Sequence, residues 1–281
     1  MPTLNYLCPT TSSELKKILK KKKTDSFILA GGTDLLVKIR HNVVKPKEII
    51  DIKKIKKFNE IKLTKTQLNI GCAATLNEIA ENKTIKEKFP AIADGSLSIG
   101  STQIRNRGTL VGNLCNSSPV ADTVPGLLIY DAKIKILSPT GTKTVSIHDF
   151  ITGVGKNILK KNEIVESVIL PLPKNTKSAF LKNARRKALD LSSVNVAVGL
   201  FNKSKKNPDI RIAVGACAPI TKRAQKAEKF LKKNGLTDET IKKAAKMLPI
   251  SPISDLRGSK EFRNKIAHRL FIKLATQLGE V

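Results

Sequence analysis

One stretch of the 281-residue chain constrains the fold more than any other: Ile99 to Asp122, reading Ile-Gly-Ser-Thr-Gln-Ile-Arg-Asn-Arg-Gly-Thr-Leu-Val-Gly-Asn-Leu-Cys-Asn-Ser-Ser-Pro-Val-Ala-Asp. Glycines at 100, 108 and 112 stand among arginines, asparagines and the hydroxyls of Ser101, Thr102 and Thr109. The stretch has almost no hydrophobic periodicity, yet apolar segments flank it. Glycine lets a backbone approach a ligand closely and adopt positive φ, and successive N–H groups in such turns form concavities for anions. Irregular segments above ~12–15 residues are functional or disordered. A long surface loop and a ligand-binding turn are therefore the two readings.

A second glycine turn lies upstream, in Phe27-Ile28-Leu29-Ala30-Gly31-Gly32-Thr33-Asp34-Leu35-Leu36. A short apolar strand, paired glycines, a hydroxyl and a helix-like segment can cradle a phosphate. The spacing is not the G-x-G-x-x-G of a dinucleotide-binding unit, so that fingerprint is not claimed.

Together the two stretches resemble the FAD-binding medium subunit of the molybdenum hydroxylases, the family of xanthine dehydrogenase, carbon monoxide dehydrogenase and 4-hydroxybenzoyl-CoA reductase. Its signatures, A-G-G-T-D-L and Q-I-R-N-R-G-T-x-G-G-N followed by P-x-x-D, correspond to Ala30–Leu35, Gln103–Asn113 and Pro119–Asp122. Val111 stands where the family has the first glycine of a pair, leaving Gly112. Three later segments also resemble the family's C-terminal domain: Lys182–Arg186, Ala213–Pro219 and Ser254–Ser259.

The resemblance implies an α+β fold. It would comprise a two-lobed FAD-binding domain of the vanillyl-alcohol oxidase type over residues 1–173, with its lobes split near 53–60. A smaller domain over 177–281 would follow, built of a three-stranded antiparallel sheet plus helices. It also implies the cofactor contacts. Leu29 would contact the cofactor, Ala30, Gly31, Gly32, Thr33, Asp34, Leu35 and Leu36 would wrap the pyrophosphate, and Thr109, Gly112 and Asn113 would close on it and the adjoining ribityl region. Ile99, Gly100 and Ser101 would lie near the flavin ring or adenosine. Val165 matches an adenine-side contact, with ordinary strand core as the alternative. Lys182 matches a lysine close to the flavin, with a surface lysine as the alternative. A carboxylate beside a diphosphate would repel it, so Asp122 is expected to accept from ribose or ribityl hydroxyls, or to cap the helix that follows.

The chemistry would belong to the cofactor. Substrate would be oxidised at a molybdenum cofactor on a large partner subunit. Electrons would cross two-iron two-sulfur clusters on a small one and leave through FAD to an external acceptor. No catalytic residue and no metal ligand are expected in this chain. A dimer of heterotrimers is the implied assembly.

Composition bounds the alternatives. The four cysteines (8, 72, 115, 217) contain no C-x-x-C pair, which argues against an iron–sulfur or zinc site within the chain. No apolar run approaches the ~20 residues of a membrane span. The first residues lack the basic and apolar regions of a signal peptide, so a cytoplasmic protein is expected. The net charge of +29 raises the possibility of nucleic-acid binding. Lysine supplies most of it throughout the chain, however, and no tryptophan and only two tyrosines are present to stack on bases. No specific nucleic acid is expected. A stand-alone flavin oxidoreductase, a basic nucleic-acid-binding protein and a flavin-less scaffold remain the rival readings.

Patterning places the elements. Thr11–Glu14 and Thr75–Glu78 read as capping boxes. Ile61–Leu63 and Gln67–Ile70 read as a hairpin, and Ala91–Leu97 and Pro125–Tyr130 as helices. Ile164–Leu170 reads as a strand before the Pro171–Thr176 boundary. Ala179–Lys182, Ser193–Phe201 and Ile210–Val214 read as three strands. In Lys260–Leu278, Phe262, Ile266, Leu270, Leu274 and Leu278 form one apolar stripe expected to face the core.

Overall fold

A computed structural model of the chain describes residues 4–186, 188–202 and 204–280. The chain opens with β1 (Asn5–Leu7) and α1 (Ser12–Lys21), followed by β2 (Ser26–Leu29), α2 (Leu35–Arg40) and β3 (Glu48–Asp51). These strands form a parallel sheet ordered β1-β3-β2. Parallel neighbours require crossover connections, which α1 and α2 supply. Thr11 caps α1 by accepting the Glu14 N–H at 3.1 Å. The Glu14 carboxylate accepts from the N–H of Thr10 at 2.8 Å, one residue before the position a full capping box would use.

A short 3-10 turn, Lys56–Phe58, leads to β4 (Ile61–Leu63) and β5 (Gln67–Gly71). Short helices follow: α3 (Leu76–Glu81), α4 (Lys83–Lys88), α5 (Pro90–Leu97), α6 (Thr102–Arg105), α7 (Leu110–Cys115) and α8 (Val124–Ile129). The Thr75 box at the start of α3 forms in full, hydroxyl and carboxylate each meeting a backbone N–H. After β6 (Lys133–Ser138), β7 (Gly141–Ser146), α9 (Ile147–Phe150) and the ribbon β8 (Ile151–Gly153) and β9 (Lys156–Asn157) comes β10 (Ile164–Pro171). The resulting antiparallel sheet is ordered β4-β5-β10-β6-β7. Its buried residues and those of the first sheet share one core, with Ile50, Phe58, Ile70, Ile134 and Val168 among them.

The last sheet is antiparallel and ordered β11 (Lys177–Asn183), β12 (Val194–Leu200), β13 (Ile210–Gly215) and β14 (Lys222–Arg223). The three expected strands are present, and β14 adds a fourth too short to carry an alternating pattern. Helices α10 (Gln225–Asn234), α11 (Asp238–Ala245) and α12 (Lys260–Gly279) complete the chain. Every residue of β12 is buried. Val194, Val196, Val198 and Leu200 join a second core with Leu231, Phe271 and Leu274 of the last helices, while Ala197 joins the first core. A Cβ on Gly199 would stand 3.3 Å from Ile129 of α8. Burial on both faces explains a nearly continuous apolar strand.

The stripe expected on α12 meets the core except at its first residue, Phe262. The helix's buried face carries Arg263, Ala267, Phe271, Leu274, Ala275 and Leu278, whereas Phe262 is 42% exposed. Residues four apart advance 400° around a helix of 3.6 residues per turn. A row of such positions therefore precesses ~40° per step: Phe262 lies outside, Ile266 and Leu270 pack against the core partly buried, and Leu274 and Leu278 are buried in it. Arg263 is tolerated inside because its guanidinium donates to the Ala216 carbonyl at 2.9 Å and to Asp255 at 2.5 Å.

Candidate functional site

The two glycine turns meet. A Cβ built on Gly31 would lie 2.0 Å from the Arg107 carbonyl oxygen and 2.8 Å from the Gly108 Cα, a contact only glycine allows. Gly32 has φ +79°, in the left-handed region. On the other side the Gly108 carbonyl accepts the Leu76 N–H at 2.8 Å, and Thr75 and Thr109 form an isolated bridge. The second turn is thus held between the first turn and the start of α3. Thr109 caps α7, its hydroxyl accepting the Gly112 N–H at 2.9 Å.

Between the turns lies a cavity of about 380 Å³, within the ~300–1,000 Å³ of small-molecule and cofactor sites. Ala30, Gly31, Gly32, Thr33, Asp34 and Leu35 form one wall. Gly108, Thr109, Gly112 and Asn113 form the opposite one, and Ile99 and Val165 contribute apolar surface. Among the described residues, no hydrogen bond uses the backbone N–H groups of Gly31, Gly32, Thr33 or Asp34. Four consecutive free donors bent around a positive-φ glycine make an anion cradle. A register shift in β10 between Val165 and Ser167 sits where that strand reaches the cavity, as bulges do when they re-aim a side chain. Val111 occupies a helical position of α7, 5% exposed in the core, and also lines the cavity.

The wall carries few charges: Lys38, Asp34 and Glu163. Glu163 is paired with Lys143 at 2.7 Å and accepts the Lys160 N–H at 3.0 Å. The Cys72 and Cys115 thiols also line the cavity. Burial raises both, Cys115 to about 12, so both are neutral at physiological pH. Composition alone gave no reason to place these thiols, Lys38, Asn116 or Glu163 on the wall. Lys38 had one available signal, its position four residues after the signature aspartate.

Six residues expected to contact the cofactor lie off this wall. Leu29 is buried in β2 and Leu36 is half exposed on α2. Gly100 has φ +53°, a turn that Arg105 holds by donating to the Ile99 carbonyl at 3.1 Å. Ser101 caps α6, its hydroxyl accepting the Ile104 N–H. Asp122 is 5% exposed and engaged within the chain. One carboxylate oxygen accepts from Ser192 at 2.5 Å and Asn195 at 2.8 Å, and the other from Lys182 at 2.9 Å. It does not cap α8, whose N-cap residue is Thr123. The Lys182 ammonium also donates to the carbonyls of Ser98 at 2.7 Å and Asp190 at 3.2 Å. These two residues tie the C-terminal sheet to the segment that enters the second signature. Apart from Asp190, their partners sit 60 to 84 positions away, beyond any local sequence signal.

Residues 2–173 match the family model described as the FAD binding domain in molybdopterin dehydrogenase, and residues 179–278 match the CO dehydrogenase flavoprotein C-terminal domain. The chain is 34% identical over 255 residues to the xanthine dehydrogenase FAD-binding subunit of Escherichia coli O157:H7, covering 89% of this chain and 87% of that protein. It is 29% identical over 274 residues to the glyceraldehyde dehydrogenase medium chain of Sulfolobus acidocaldarius, covering 97% of each. Its fold superimposes on carbon monoxide dehydrogenase from Hydrogenophaga pseudoflava with a TM-score of 0.93 at 26% identity, covering 99% of this chain and 97% of that one. Quinoline 2-oxidoreductase from Pseudomonas putida 86 gives 0.92 at 26% identity, covering 99% and 98%. A mixed helix-and-sheet fold, two glycine turns closing on one cavity and these matches lead to one conclusion: the chain belongs to the FAD-binding flavoprotein subunits of the molybdenum hydroxylases, an oxidoreductase family.

Proposed function

We propose that the cavity between the two glycine turns holds FAD by its diphosphate, and that the chain passes electrons from iron–sulfur clusters on a small partner subunit to an external acceptor. The observation that carries this reading is the row of unengaged backbone N–H groups from Gly31 to Asp34, opposite Thr109 and Gly112. A diphosphate is doubly anionic and needs such donors, and the carboxylate beside them, Asp34, is paired with Lys38 at 2.6 Å. The Thr33 and Thr109 hydroxyls add donors, Asn113 adds an amide, and Ile99 and Val165 give the cofactor's planar groups apolar surface. When bound, FAD supplies a two-electron store that accepts and releases electrons singly.

The remaining residues act on the frame. Gly100 and Ser101 shape the entry to the second signature. Asp122 and Lys182 fix the C-terminal sheet beside it. In this reading residues 1–173 form the FAD-binding domain of vanillyl-alcohol oxidase type, with lobes meeting near 53–60, and 177–281 the second domain. A large molybdenum-cofactor subunit completes the complex, assembled as a dimer of heterotrimers in the cytoplasm. Relatives named as medium chains of dehydrogenases support the multi-subunit arrangement. Among the described residues, no helix is long and apolar enough to cross a membrane.

Titration of the purified apoprotein with FAD tests the reading. Stoichiometric uptake, with quenching of flavin fluorescence, is expected; a folded protein that takes up none sinks it.

A further inference from the structure

Lys38 is the one cation on the cavity wall among the described residues, and it stands at a junction. It lies on α2 one turn after Asp34, with its ammonium 2.6 Å from the Asp34 carboxylate. The same ammonium donates to the Asn116 side-chain oxygen at 3.3 Å, at the C-terminal end of α7. One side chain thus spans from the first glycine signature to the end of the second. Its backbone is anchored as well: the Lys38 carbonyl accepts the N–H groups of Val43 and Val44 at 2.9 and 3.4 Å. Both carboxylates on the wall have partners, Asp34 in Lys38 and Glu163 in Lys143. An ammonium has three donors, and the two contacts seen leave one.

A ligand with two negative charges enters a wall that otherwise offers it only backbone and side-chain dipoles and two carboxylates. A compact charge on a flexible stem can offer it the third donor while still pairing with Asp34. We propose that Lys38 is the specificity residue of the cavity: it bridges the two signature helices and supplies the counter-charge that favours a diphosphate-bearing ligand over a bare flavin. The proposal rests on the FAD reading and adds a residue outside both signatures.

Apoprotein of the wild type, Lys38→Met and Lys38→Arg is titrated with FAD and riboflavin by fluorescence and with ADP by calorimetry. Lys38→Met is expected to weaken FAD and ADP about tenfold, to leave riboflavin within about twofold, and to flatten the salt dependence of FAD binding. Lys38→Arg is expected to recover FAD affinity to within about threefold, because it keeps the charge. Unchanged FAD and ADP affinity in Lys38→Met overturns the proposal. Equal loss of FAD, ADP and riboflavin also overturns it, since that is the signature of a packing role. Should Lys38→Met not fold, Lys38→Gln carries the same expectations. A folded wild type that binds neither FAD nor ADP instead removes the FAD reading on which the proposal stands.

Discussion

An alanine at position 31 would set its methyl carbon 2.0 Å from the Arg107 carbonyl oxygen. The two turns must then separate, and overpacking of this kind costs ~1–3 kcal/mol. Gly31→Ala is expected to weaken FAD binding by about 10- to 100-fold while the chain remains folded, read by fluorescence titration beside circular dichroism. Gly32→Val acts through conformation, since a β-branched residue at φ +79° is a strong outlier; it should lose flavin retention outright. Val111→Gly tests the opposite direction. Restoring the family's glycine pair removes a buried side chain and puts glycine inside a helix, so ~2–4 kcal/mol of stability should be lost with no gain in FAD affinity. Glycines 31, 32, 108 and 112 were legible in the sequence because few other residues meet their constraints. Asp122 and Lys182 were legible as positions matching the family's pattern, but their partners were not. What they touch depends on β11 and β12 folding back over the signature, and no local pattern encodes that.

Short elements were readable where a cap or a turn announced them. Thr75–Glu78 opens α3 as patterned, and the hairpin of β4 and β5 forms where alternation placed it. The strand β14 was not readable, since two residues carry no period; it pairs with β13 at Ala213 and Val214. Helix α12 shows a right element whose expected face departs from the core at its first turn. Phe271, fully buried against β12, should cost ~3–5 kcal/mol on truncation to alanine. Phe262 is 42% exposed and should cost under ~1 kcal/mol. Urea unfolding of the two variants separates these outcomes, and near-equal losses would return Phe262 to the buried face.

Across the whole molecule, Asp131 joins the N-terminal part to the last sheet. Its carboxylate receives Arg211 at 2.7 Å, Arg223 at 2.9 Å and His148 at 2.8 Å. Burial works to raise its pKa, but the hydrogen bond with His148 and the charges of Arg211 and Arg223 outweigh it and hold the group below the ordinary carboxylate range. A carboxylate lowered on folding contributes stability that is complete above its unfolded pKa of ~3.9 and is lost as pH falls through the folded value. Asp131→Asn should therefore cost ~1–2 kcal/mol at pH 7, allowing for the group's partial exposure. That difference should shrink as pH falls below ~3.9 in urea unfolding measured across pH, and a deficit independent of pH would exclude the linkage. Strand β12 has the widest reach, because its side chains serve two neighbours at once. A gene broken at the Pro171–Thr176 boundary would yield two polypeptides with complementary greasy surfaces, one of them carrying Asp122 bereft of Lys182, Ser192 and Asn195. Each product would expose apolar surface that the other now covers, which favours carrying the two segments in one reading frame or as companions.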